Sequence, residues 1–252
     1  MKHSIRRTIV LLLLAATCLV SCESRKYKQS NPDVLTSRQI KILEENSLPT
    51  EMSQLNGRQK GGIKEIESAF VYLEEKYPGV EFEYISHTQA GLMNTEDTKF
   101  VPVGYDKEDD RNIVTVNYDR DGNYSDDYML VAVREETEKV IQKYLESYFG
   151  KGNVKAYIKM NWTDLQYGDR INEETVIQKT NASTYFFVPE DTCSNEKMDM
   201  FCENCKNWNK KNNIDFHFRA ILISRDDYDL TTYANHSELY DDNHIIYEVK
   251  VK

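Results

Sequence analysis

Residues 135–160 read EETEKVIQKYLESYFGKGNVKAYIKM and contain both spacings on which the fold prediction rests. Within 135–149, apolar side chains return every three or four positions, which is the spacing of one helix face. Gly150 follows, and apolar side chains then occupy every second position over 154–160, as in a strand with one solvent-facing side. The stretch predicts a helix, a glycine turn and a strand.

The same order of helix and strand occurs twice more along the chain. A helical pattern that ends near Tyr77 precedes an alternating segment from Val80, and a pattern over 195–210 precedes one over 214–223. The three segments share no sequence identity, so we favour one connection reused in an α+β domain over a true repeat. Strands with one polar side predict an antiparallel or mixed sheet, with helices packed mainly on one face.

Two pairs of polar residues mark the starts of helices. Thr36 with Gln39 predicts a capping box for a helix that continues to Glu45, and Asn56 with Gln59 predicts the start of the next helix. We therefore assign residues 34–252 to the globular part, as one domain or as two subdomains that divide near residue 150.

A hairpin is predicted at Asp121-Gly122, because Asp-Gly suits a turn that needs positive φ. Its strands are expected at 112–118 and 128–134. Further strands are expected at 184–188 and 245–251. The acidic residues around the turn do not match a calcium loop, because Gly122 is fourth rather than sixth counting from Asp119. We interpret Asp119, Asp121, Asn123 and Asp126 as a solvated hairpin tip.

The N-terminus has the pattern of an export signal. Lys2, Arg6 and Arg7 precede an apolar run over 9–16, which is too short for a permanent membrane span. Leu19-Val20-Ser21-Cys22 then resembles the bacterial lipobox, in which cleavage occurs before the cysteine and its sulfur carries a diacylglyceryl group. The resemblance implies a signal peptide over 1–21, lipidation of Cys22 and a polar tether over 22–33.

Charge limits the partners that we expect. The chain has a net charge of −10, and removal of residues 1–21 takes away three positive charges, which leaves −13. Lysine and arginine form no basic cluster, so we predict no nucleic-acid partner. An acidic domain is also repelled by anionic lipid headgroups, so the membrane is expected as a partner only through the lipid anchor.

A second resemblance concerns the first third of the chain. The block LTSRQIKILEE at 35–45, together with YLEEKY at 72–77, is similar to uncharacterised lipoproteins of low-GC Gram-positive bacteria. The resemblance implies anchoring at the extracytoplasmic face of the cell membrane. It implies no activity and no functional residues.

Three cysteines remain in the expected mature domain. Cys202 and Cys205 fall with Met198, Phe201 and Trp208 on one apolar helical stripe, so we favour a core position for both. A disulfide from Cys193 is an alternative, but a straight helix from Asn195 places Cys202 far from it. A zinc site with His217 as fourth ligand is less favoured, because one Cys-x-x-Cys pair is only half a zinc motif. A redox pair is less favoured, because the cysteines lie inside the predicted helix rather than at its N-terminus.

One predicted strand presents three chemically active residues on one side. Asp215, His217 and Arg219 alternate with apolar residues, so they share a face. An acid, an imidazole and a cation form parts of a catalytic or anion-binding site, although a sheet face with cross-strand ion pairs explains the same alternation.

No complete catalytic motif accompanies these residues, so we predict a membrane-anchored binding or interaction domain, for an unidentified protein or small-molecule ligand, rather than an enzyme. No cofactor or resident metal is predicted. The alternatives are an extracytoplasmic hydrolase that uses Asp215, His217 and Arg219, and a thiol or metal module that uses the three cysteines.

Overall fold

The computed structural model describes residues 34–89, 96–119, 121–212, 216–239 and 246–249. The expected signal peptide, Cys22, the tether and Asp215 lie outside the described residues. The α-helices are α1 (Ser37–Glu45), α2 (Gly57–Lys76), α3 (Tyr128–Phe149), α4 (Glu173–Lys179), α5 (Asn195–Asn212) and α6 (Arg225–Leu230). The strands are β1 (Phe82–Thr88), β2 (Glu96–Pro102), β3 (Val114–Tyr118), β4 (Tyr124–Asp126), β5 (Lys155–Thr163), β6 (Thr180–Pro189), β7 (His217–Ile223) and β8 (Ile246–Val249).

The strands form two four-stranded sheets. The first has the order β1-β2-β3-β4, and each neighbouring pair is antiparallel. The second has the order β5-β6-β7-β8 and is mixed, because β6 and β7 run parallel while the outer pairs are antiparallel. A parallel pair needs a crossover, and α5 lies in the connection between β6 and β7. The predicted α+β class is confirmed, with one antiparallel and one mixed sheet.

The chain divides into two compact units, Met1–Val71 and Tyr72–Lys252, so the boundary falls within α2. Both sheets belong to the second unit. Residue 150, the position of the division expected from sequence, separates the strands of the first sheet from those of the second.

The first unit begins with the predicted caps. Thr36 Oγ1 accepts a hydrogen bond from the Gln39 backbone N–H at 3.1 Å, and Gln39 Oε1 accepts from the Thr36 backbone N–H at 2.9 Å. Asn56 and Gln59 make the same reciprocal pair at 3.0 and 2.9 Å. Both capping predictions are confirmed. The buried apolar side chains of this unit include Ile42, Leu43, Ile63, Ile66 and Phe70.

The largest hydrophobic cluster of the second unit lies around α3, α5 and the second sheet. Ile141 and Leu145 of α3 belong to it, as the helical spacing of residues 135–149 predicts, and Phe149 belongs to it as well. Phe201 of α5 packs between them and the sheet, with its ring centroid 5.0 Å from that of Phe149 and 5.3 Å from that of Phe186. Burying side chains of this size contributes about 1.5–3 kcal/mol each before entropy is subtracted.

The predicted strand over 128–134 is wrong, because these residues form the first two turns of α3. The hairpin partner of β3 is the three-residue β4, and the hairpin turn contains Gly122 at φ +89°. No glycine or proline separates 128–134 from the predicted helix, so one helix continues through both segments. Val133 and Val140 lie two turns apart and pack in one cluster with Leu165 and Val176, so tertiary packing overrides the strand preference of β-branched residues.

Candidate functional site

A cleft of about 490 Å³ lies within the second unit, where three segments of the chain meet. These are the C-terminal end of α2, the junction of β4 with α3, and the end of β5 with the loop that follows it. Its lining includes the polar side chains Lys76, Asp127 and Asn161 and the aromatic side chains Tyr77, Trp162 and Tyr167.

Asp126 is among the residues of this cleft, and its side chain is 0% exposed. Lys76 Nζ and the Tyr72 hydroxyl both donate to its Oδ2 atom at 2.6 Å. The Tyr77 hydroxyl donates to Oδ1 at 2.7 Å, and the Tyr128 backbone N–H donates to the same atom at 3.0 Å. Four donors therefore saturate one buried carboxylate and join α2 to the start of α3.

The donors also fix the protonation states of the cluster. Burial disfavours the Asp126 carboxylate, but the hydrogen bonds from Lys76 and the two tyrosines outweigh it, so the pKa of Asp126 lies below its ordinary value. Burial likewise opposes the lysine charge, yet the same bonds raise the pKa of Lys76. Burial raises the pKa of Tyr72 to about 12. At neutral pH the cluster holds a charged ion pair and protonated tyrosine donors.

Asp127, the next residue, has a different environment. Its Oδ1 atom accepts a hydrogen bond from the Thr115 backbone N–H at 2.6 Å. Burial raises the pKa of Asp127, and the neighbouring Asp126 charge adds to the rise. The two adjacent carboxyl groups are thus shifted in opposite directions.

Aromatic rings form one side of the cleft. The Tyr77 ring centroid lies 4.4 Å from that of Tyr128 and 5.5 Å from that of Tyr167. The Tyr167 hydroxyl donates to the carbonyl oxygen of Pro78 at 2.5 Å, which holds the loop after β5 against the α2–β1 turn. Trp162 is 45% exposed and Tyr167 is 42% exposed. Both side chains line the cleft and keep part of their surface exposed.

A β-bulge places two of the lining residues. The register of β5 against β6 shifts immediately before Trp162, so Asn161 is an extra residue in β5. Such bulges redirect side chains and are common beside functional sites. Asn161 Nδ2 donates to Asn181 Oδ1 at 2.5 Å and to Ser183 Oγ at 3.0 Å, and these bonds hold the bulge in place.

The residues predicted as a catalytic face lie elsewhere, on the second sheet. Arg219 Nε donates to Glu248 Oε1 at 3.0 Å, and His217 Nε2 lies 3.0 Å from the same oxygen. Arg219 and Glu248 face each other directly across β7 and β8. The structure brings His217 and Arg219 together in a partly exposed cross-strand cluster, while Asp215 lies outside the described residues.

The three cysteines of α5 and its N-terminal approach are free thiols rather than disulfide partners. Cys193 precedes the helix by two residues, whereas Cys202 lies two turns inside it. Cys205 belongs to the main hydrophobic cluster, and Cys202 packs against it. Burial raises the pKa of Cys202 to about 11 and that of Cys205 to about 12. Such thiols are poor nucleophiles at neutral pH.

The acidic hairpin residues separate into two environments. Asp119, at the tip, accepts hydrogen bonds from the backbone N–H groups of Asp121 and Asn123 at 2.9 and 2.8 Å. These three residues are exposed, as predicted, whereas Asp126 is buried, so its assignment to the solvated tip is wrong. Within the described ranges, no group of three His, Cys, Asp or Glu side chains is placed to hold a metal ion.

The described part of the chain contains no helix with both the length and the apolarity needed to cross a membrane. No protein-family model and no curated protein matches the sequence. Among solved structures, the chain is similar to one described as a DUF5037 family protein from Ruminococcus gnavus ATCC 29149. The two are 13% identical, the similarity covers 73% of this chain and 90% of that chain, and the TM-score is 0.38. A functional proposal therefore depends on the cleft.

Proposed function

We propose that this protein is a membrane-anchored extracytoplasmic binding protein, and that its second unit takes a ligand into the cleft. The observation that carries the proposal is the pair of half-exposed rings, Trp162 and Tyr167, on the wall of a cavity of about 490 Å³. Clefts of about 300–1,000 Å³ with aromatic walls and a few placed polar groups are the usual form of small-molecule sites.

The cleft is also held in shape before any ligand binds. Asp126 ties Lys76 and Tyr77 to the start of α3, and the hydroxyl of Tyr167 ties the loop after β5 to Pro78. Side chains that are already ordered lose little further freedom on binding, so each new contact contributes more to affinity.

The environment of the carboxyl groups favours binding over hydrolysis. Hydrolysis that uses two carboxyl groups requires both to reach the substrate. Asp126 is fully buried and both of its oxygens already accept hydrogen bonds, so only Asp127 of this pair offers a carboxyl group for direct contact. The cleft thus has polar groups for recognition without a matched pair for acid–base chemistry.

The lipobox-like sequence that ends at Cys22 supports the location. Two acyl chains on this cysteine anchor a protein stably, because each buried CH₂ group contributes about 0.8 kcal/mol. The polar tether over 22–33 places the acidic domain close to the membrane without drawing it onto the lipid surface.

Photo-crosslinking on intact cells tests the proposed site even while the ligand is unidentified. The crosslinking residue p-benzoylphenylalanine replaces Gln166, which lines the cleft, or Met200, which is 61% exposed on α5. After irradiation, mass spectrometry detects any added mass on the purified protein. We expect an adduct at position 166 that is absent at position 200. No adduct at 166, or equal adducts at both positions, would contradict the proposal.

A further inference from the structure

The charges of the cleft lining limit the kind of ligand that it accepts. Lys76 supplies a positive charge and Asp126 a negative one, and the two are paired at 2.6 Å. Lys76 remains 42% exposed, so a cationic ligand meets its ammonium group. An anionic ligand meets Asp127, which lines the same cleft. Lys76 repels a cationic ligand and Asp127 repels an anionic one, so the lining favours a neutral ligand.

The exposed rings require a ligand with flat, partly apolar faces. Trp162 and Tyr167 line the cleft, and the two residues are 45% and 42% exposed. The Tyr167 hydroxyl is already bonded to the Pro78 carbonyl, so its ring face rather than its hydroxyl is the part left for contact. Amphipathic ring faces of this kind pack against C–H surfaces and place polar edges beside them.

The lining of the cleft also includes uncharged polar side chains. Asn161 stands on the bulge of β5, and Thr163 and Gln166 follow within five residues. Asn161 Nδ2, Thr163 Oγ1 and Gln166 Nε2 donate within the protein. The amide oxygens of Asn161 and Gln166 are therefore the acceptors that match a ligand rich in hydroxyl groups. Alternating C–H faces and hydroxyl edges are the chemistry of a sugar ring.

We infer that the ligand is a neutral saccharide, with one ring stacked on Trp162 and its hydroxyl groups hydrogen-bonded by Asn161 and Gln166. This inference rests on the proposed function and adds the chemical class of the ligand. Because Trp162 supplies the stacking face, Trp162→Ala is expected to weaken binding at least tenfold. Trp162→Phe keeps a smaller ring and is expected to retain part of the affinity.

A glycan array tests the inference with the full-length protein in a sugar-free non-ionic detergent. The array carries neutral glycans and charged counterparts of the same length. N-acetylglucosamine tetramers are paired with their deacetylated, cationic forms, and glucose tetramers are paired with anionic tetramers that contain glucuronate. Met200→Ala is the matched control, because this exposed residue of α5 does not line the cleft. Circular dichroism and thermal unfolding establish that each variant is folded.

We expect signal on neutral glycans that exceeds the signal on their charged counterparts at least tenfold, that survives Met200→Ala and that falls in Trp162→Ala. No signal on neutral glycans, a preference for charged forms, or unchanged binding by Trp162→Ala would overturn the inference. An adduct at position 166 in the photo-crosslinking experiment, without signal on neutral glycans, would leave the proposed function in place and reject the saccharide. No adduct at position 166 together with no signal on neutral glycans would reject both the proposed function and the saccharide.

Discussion

Asp126 is the residue on which the geometry of the cleft depends. Its donors Tyr72, Lys76 and Tyr77 lie 54, 50 and 49 residues earlier in the chain, and they meet on one carboxylate only after α2 and β4 pack together. The sequence around Asp126 is acidic and close to a hairpin turn, which is typical of a solvated tip. The residues next to Asp126 in the sequence do not indicate hydrogen-bond partners some fifty positions away. The burial of the Asp126 side chain therefore could not be predicted from the sequence.

Asp126→Asn is expected to lower the free energy of unfolding by about 2–4 kcal/mol, because it leaves the Lys76 ammonium without its counter-charge and presents an amide to hydroxyl donors. Urea denaturation measures the change. Asp121→Asn, in the exposed hairpin turn, is the matched control and should unfold like the wild type. Equal stability of the two variants would show that the buried cluster contributes little.

The same carboxylate predicts a dependence of stability on pH. The pKa of Asp126 is lower in the folded chain than the ordinary value of about 3.9, so folding favours the ionised form. This stabilisation is present above about pH 4 and is lost as the pH falls through the folded pKa. Urea unfolding between pH 6 and pH 2 should therefore show a steeper loss for wild type than for Asp126→Asn. If stability fell equally with pH in the wild type and in Asp126→Asn, the lowered pKa of Asp126 would be contradicted.

At the scale of elements, periodicity predicts the long helices well. The stripe of Met198, Phe201 and Cys205 and the face of residues 135–149 are buried where the 3.6-residue spacing places them. β2 and α4 are among the elements that periodicity does not predict. β2 has the polar sequence EDTKFVP and is fixed by antiparallel pairing with strands on both sides, while α4 begins with a capping box that uses Thr175 rather than Glu or Gln.

The turn from α3 to β5 provides a test at this scale. Gly150 ends the helix with φ +93°, and an added Cβ would meet Asn153 Nδ2 at 3.2 Å. Gly150→Ala is expected to cost about 1 kcal/mol or more of unfolding free energy. Gly57→Ala is the control, since the space around Gly57 is open and its φ is not positive. Thermal unfolding measures the stability of both variants. A Gly150→Ala variant as stable as the wild type would contradict the claim that this turn requires glycine.

For the whole molecule, the sequence predicts the α+β class and an anchor, but not where the cleft lies. The class follows from alternating helix and strand periods. The cleft forms where α2, the β4–α3 junction and the bulge of β5 meet, and that meeting depends on long-range packing. Trp162 carried no signal in the sequence, because the extra residue in β5 is visible only from its pairing with β6.

The proposed anchor gives an expectation for the intact protein in cells. The full-length wild type should enter the detergent-rich phase of a Triton X-114 extract, and Cys22→Ala should remain in the aqueous phase or keep its uncleaved signal. Mass spectrometry of the N-terminal peptide checks for the acyl groups. Replacement of the buried Cys205 by Ala is the control and should not alter the partition. An unmodified Cys22 would reject the anchor.

The most direct test of the binding site follows the two tryptophan indole N–H signals by NMR in full-length protein labelled with ¹⁵N-tryptophan. Trp162 lines the cleft, whereas Trp208 stacks on Tyr144 with ring centroids 4.6 Å apart in the main core. Titration with neutral tetrasaccharides of glucose, xylose and N-acetylglucosamine is predicted to shift the Trp162 signal saturably for at least one sugar while the Trp208 signal stays in place. A Trp162 signal that no neutral saccharide moves, or that moves only together with Trp208, would contradict the account.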